Sequence, residues 1–106
     1  MSTFFMFGKY SAEAAKGISA ARTTRATKVI SAAGGKVRGA YSLLGEHDLV
    51  LIVDLPSVDA ALEVSIALLK LTGIEIVTAP AVEVADFDAL VSGKGGKPGR
   101  KASKRR

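Results

Sequence analysis

Two stretches of the chain are apolar on both of their alternating sides. In residues 3–10 the run Phe4, Phe5, Met6, Phe7 leaves neither set of alternate positions polar. In residues 47–55, Leu49, Leu51 and Val53 point one way and Val50 and Ile52 the other, because successive strand residues face opposite sides. Both are rich in β-favouring side chains and are predicted as strands. Residues 36–44 read as a further strand, and only Gly45 and Glu46 separate it from residues 47–55. That is the length of a two-residue hairpin turn. The expected register sets Leu44 opposite His47, Leu43 opposite Asp48 and Tyr41 opposite Val50. A last strand spans residues 74–84, where Ile74, Ile76 and Thr78 alternate with Glu75, Val77 and Ala79. Pro80 has no N–H for a ladder and assigns this strand to an edge or a bulge.

A helical repeat of three to four residues fills the gaps. Ser11 offers an N-cap oxygen and Glu13 an acid in the first turn, where the helix dipole favours one. Gly17 divides this helical segment into a short turn and a helix over residues 19–33, with Arg22, Ala26, Val29, Ile30 and Ala33 near one stripe. Gly34 and Gly35 end it. After Pro56, Ser57 and Asp59 open a second helix that runs to about residue 71. Leu62, Ile66 and Leu69 are expected on its inner face, although Val58, Val64, Ala67 and Leu68 leave little of the other side polar. Thr72 and Gly73 close it, and residues 86–91 form a short final segment.

The order βαββαβ predicts an α+β fold of the ferredoxin-like kind, a four-stranded antiparallel sheet with two helices on one face. Such a sheet, alone in water, presents a polar outer face. Here the outer face is apolar in two strands. A homodimer or higher oligomer, paired face to face, is therefore expected. The competing expectation is that a loop or residues 86–91 fold over the sheet.

Composition narrows the picture. A length of 106 residues fits one domain, expected over residues 1–91 and followed by a disordered basic tail over residues 92–106. With 48% hydrophobic residues and no Trp the core should be aliphatic, with Phe4, Phe5, Phe7 and Phe87 as its larger rings. The absence of Cys excludes disulfides, thiolate metal sites and a Cys nucleophile, and fits a reducing, cytoplasmic setting. The chain starts without a basic n-region, and Asp48, Asp54 and Asp59 interrupt its longest apolar run. A soluble protein without a signal peptide or membrane contact is expected.

The net charge of +5 belongs to the tail. Lys94, Lys97, Arg100, Lys101, Lys104, Arg105 and Arg106 supply +7, while residues 1–91 hold 8 basic and 10 acidic residues and carry −2. With no aromatic for base stacking, the tail is suited to weak, salt-sensitive contact with nucleic acid or an acidic partner, and equally to no more than keeping the oligomer soluble.

Candidate chemistry is sparse. The hairpin tip gathers Glu46, the single histidine His47, and Asp48, whose face is shared diagonally by Tyr41. This cluster could anchor a ligand at the mouth of a pocket, or be a solvated turn. One His without a second ligand at metal spacing implies no metal. Arg22, Arg25 and Lys28 lie at helical spacing and could hold a small anionic ligand, with Lys9 and Tyr10 approaching the same place; the plainer reading is a solvated helix face. Neither GxxxxGK[ST] nor GxGxxG occurs, so no nucleotide or other cofactor is implied.

The segments FGKYSAEAAKGIS, AAGGKV, YSLLGEHDLVLIVDLP and ALLKLTGIE resemble the GYD-domain family over about residues 3–90. The GxYD-like turn sits here as Gly45, Glu46, His47 and Asp48, with His47 where the family's name has Tyr. The resemblance implies a fold similar to dimeric α+β barrels and assigns no activity. A small-ligand- or partner-binding accessory module is the leading functional expectation. The alternatives are a small dimeric-barrel enzyme of isomerase or cofactor-independent oxygenase type, and a nucleic-acid-associated protein acting through its tail.

Overall fold

The two strands with apolar residues on both sides, β1 (Ser2–Lys9) and β3 (Leu49–Leu55), lie side by side at the centre of a four-stranded sheet in the computed structural model, which describes residues 1–93. Strand β2 (Lys36–Ser42) flanks β3 and β4 (Glu75–Ala81) flanks β1, so the order is β2-β3-β1-β4 with every neighbour antiparallel. Pro80 sits on an edge strand, where its missing N–H leaves no central ladder broken. Four helices complete the chain: α1 (Ala12–Lys16), α2 (Ala20–Ala32), α3 (Val58–Thr72) and α4 (Val84–Val91).

Serine starts the first three helices. The side chains of Ser11, Ser19 and Ser57 accept from the N–H of Ala14, Arg22 and Ala60 at 2.9, 3.0 and 3.1 Å. Each occupies a donor that the helix itself cannot satisfy. Gly73, with φ of 75°, ends α3 in the left-handed conformation. Helices α2 and α3 cover one sheet face. The core there joins Phe4 and Met6 of β1, Val53 and Leu55 of β3, Ile30 of α2, and Ala60, Ala61, Val64 and Leu68 of α3. Full burial of a side chain such as Phe4 or Leu55 is worth about 1.5–3 kcal/mol.

Four expectations change. The inner face of α3 is Ala60, Ala61, Val64 and Leu68, whereas Leu62, Ile66 and Leu69 are exposed at 56%, 52% and 45%. Alanine lets the helix approach α2 and the sheet more closely than leucine would. The hairpin turn is wider than two residues: the ladder stops at Ser42–Leu49, Leu43 still meets Asp48 through one backbone bond as expected, but Leu44 does not pair with His47 and residues 43–48 form a loop. The register Tyr41–Val50 holds as far as Gly39–Ile52, after which a bulge at Arg38 shifts it. Finally, α4 has no buried residue and Phe87 is 55% exposed. This segment neither adds a core ring nor seals the outer face of the sheet.

Candidate functional site

The loop over residues 43–48 is tied to β1 through Asp48. The Asp48 N–H donates to the Gly8 carbonyl at 2.8 Å, its carboxylate accepts the Tyr10 N–H at 2.8 Å, and its own carbonyl accepts the Leu43 N–H at 2.8 Å. The acid thus fastens the loop to the end of β1, and its bond is to the Tyr10 backbone instead of the Tyr41 hydroxyl. Gly8 leaves the close approach open, since a Cβ there would lie 2.9 Å from side-chain atoms of both Leu49 and Ile74.

Behind this loop, on the helix-bearing face, lies a cavity of about 230 Å³. Arg22 and Thr23 of α2, Leu68 and Thr72 of α3, and Leu49 and Leu51 of β3 contribute to its wall. Arg22 is the one buried charged residue among the described residues, at 8% exposure. One guanidinium nitrogen donates to the Ala14 carbonyl, and the guanidinium carbon lies 5.8 Å from the centre of the Tyr10 ring, within cation–π range. Among the described residues no carboxylate forms an ion pair with it.

The opposite face carries Phe5, Phe7, Val50 and Ile52 on the central strands, with Tyr41 and Val77 level with Val50 and Phe7 on the edges. His47 belongs to this side. Its ring centre is 5.0 Å from that of Phe7, and its Nδ1 is buried without a hydrogen-bond partner among the described residues. At the other end of the same face Thr3 donates to Asp54 at 2.8 Å and Arg38 pairs with Asp54 at 3.0 Å. They border an open groove of about 760 Å³ that also touches Phe5, Ile52 and the start of α4.

The GYD-domain family model matches residues 4–91. The chain belongs to the GYD-domain family. No curated protein and no solved structure matches it. Membership agrees with the α+β sheet-and-helix fold, and the chemistry of this GYD domain has to be read from its own residues.

Of the residues singled out from the sequence, Arg22 lines the inner cavity and Asp48 lies beside it, bonded to Tyr10, while Tyr41 reaches only the rim from the edge strand β2, its ring packed beside Gly39 on the outer face. His47 is turned to the outer face. Glu46, Arg25, Lys28 and Lys9 are exposed, and Lys9 lies opposite Glu75 in the ladder. The basic residues 94–106 fall outside the described residues. The cavity residues Thr72, Ser42 and Ile76 were not singled out, because each reads locally as a helix end or a strand position. The Arg38–Asp54 pair was also missed; an acid in the aliphatic run of β3 was its only local signal.

Proposed function

We propose that this GYD domain is a self-associating binding module, in which the outer sheet face of one copy packs on that of another. The observation that supports it is the outer face on which Phe5, Phe7 and Ile52 of the two central strands are half-buried around a buried Val50, continued by Val77 and Tyr41, which are 59% and 61% exposed. Contiguous apolar surface of this kind marks an interaction site. The side chains are self-complementary because all are apolar, as a two-fold contact between identical surfaces requires. Asp48 beside the inner cavity is engaged by Tyr10 and Asp54 in the outer groove by Thr3 and Arg38, while the other acids of that groove, Glu83 and Asp86, are exposed to solvent. That favours binding and positioning over acid–base chemistry.

Native mass spectrometry of the full-length protein tests the assembly, together with Val77→Lys and Ile52→Lys. Val77 is exposed in the single chain, so a lysine there fits the isolated fold and is costly only in a face-to-face contact. The wild type is expected to be a dimer or larger and Val77→Lys to shift toward monomer with an unchanged circular dichroism spectrum. A wild type that is monomeric at micromolar concentration refutes the reading.

A further inference from the structure

The inner cavity holds a cation without a counter-charge. Burial of a charged group is unfavourable unless it is paired and hydrogen-bonded, and Arg22 is more than nine-tenths buried. Its bond to the Ala14 carbonyl uses one of five guanidinium N–H donors. The Tyr10 ring compensates part of the charge. The side chain lines a space whose wall carries Leu49, Leu51, Leu68 and Ile76, together with Thr23 and Thr72, whose hydroxyls already donate to backbone carbonyls. A hydrogen bond to the end of α1 requires only a single donor; it accounts for one nitrogen and leaves the planar fork unexplained.

We propose that Arg22 is the anion-recognising residue of a binding site for a small monocarboxylic acid with an apolar body. The carboxylate meets the guanidinium, whose paired N–H groups match its two oxygens. Arg22 also stands in the first turn of α2, capped by Ser19, where the helix dipole adds to the attraction for an anion. The apolar body lies against the Leu and Ile side chains. A volume of about 230 Å³ is below the roughly 300 Å³ at which pockets for drug-sized molecules begin, and it limits the ligand to a short chain or a single ring. With Arg22 as the single charge in the wall and the Thr23 and Thr72 hydroxyls already donating to the Ser19 and Leu68 carbonyls, the site suits a monoanion better than a phosphate, which calls for more donors. The cavity is on the helix-bearing side of the sheet, so the proposal is independent of outer-face pairing.

Isothermal titration calorimetry of the full-length protein with hexanoate, benzoate, hexanol and inorganic phosphate tests it. One acid per chain is expected to bind, with hexanol and phosphate each about tenfold weaker or worse, as the loss of a charge-assisted contact or of the apolar fit predicts. Arg22→Gln, which keeps a donor for Ala14, should weaken the acid by a similar factor. Ala26→Leu fills the cavity from α2 with Arg22 in place and should do the same; it serves as the second variant should Arg22→Gln unfold. No saturation of the wild type at millimolar acid, hexanol or phosphate binding as tightly as hexanoate, or full affinity in either folded variant would overturn the proposal.

Discussion

Asp48→Ala should destabilise the fold by removing the bond between the residue 43–48 loop and β1. The carboxylate accepts the part-buried Tyr10 N–H at 2.8 Å, and a hydrogen bond to a charged group is worth about 1.5–3 kcal/mol net. Alanine also leaves the Tyr10 N–H without its acceptor. The backbone bonds from Asp48 to Gly8 and from Leu43 to Asp48 survive the substitution, which limits the loss to about 2 kcal/mol. For a domain of this size that corresponds to a fall in Tm of roughly 8–16 °C. Asp48→Asn keeps an acceptor oxygen in place and should lose about half as much. The assay is urea or thermal unfolding of the three proteins at one fixed protomer concentration, since association adds to apparent stability. Equal stability of wild type and Asp48→Ala, or equal damage from Ala and Asn, would refute the assignment of this acid as a structural fastener.

Two further outcomes are open to measurement. Gly35→Ala should cost about 1–3 kcal/mol or more in denaturant unfolding, because the added Cβ would overlap Leu55 Cδ2 and sit 2.9 Å from the Asp54 carbonyl oxygen, between side chains that have no room to move. Removal of residues 92–106 takes away +7 and leaves a body of −2, so heparin or nucleic-acid retention should disappear at physiological salt; retention by the truncated protein would place polyanion binding on the domain itself.

Elements with a polar side were legible from the sequence. Helix α2 has Thr23, Thr24, Thr27 and Lys28 on one side and Ala26, Ile30 and Ala33 on the other, and its predicted stripe is the one that packs on the core. Helix α3 has only Asp59, Glu63 and Lys70 as charges in fifteen residues, so two stripes fit the helical period and the larger side chains pointed to the wrong one. What decided the matter was the space between helix and sheet, a tertiary quantity that no local pattern contains. The candidate site divides in the same way. Arg22 stood out by its charge within an apolar stripe, but its lack of a carboxylate partner follows only from where the other acids end up. His47 and Asp48 are adjacent in sequence, and the loop sends one to the outer face and the other to the Tyr10 backbone.

The outward stripe of α3, Val58, Leu62 and Ile66 with Leu69, lies on the far side of the molecule from Phe5 and Ile52. Two copies joined through their sheets would carry this stripe on both ends. Should those ends also join, growth has only two geometries: a ring in which the rotations close, or a stack that continues without limit. Asp59 and Glu63 run alongside the stripe one position on, so identical ends would bring like charges near one another. Lys70 follows Leu69 in the same way, so the charged border makes any end-to-end contact depend on its alignment, repulsive where the acids of the two copies meet and attractive where Lys70 meets them, and salt would weaken both effects.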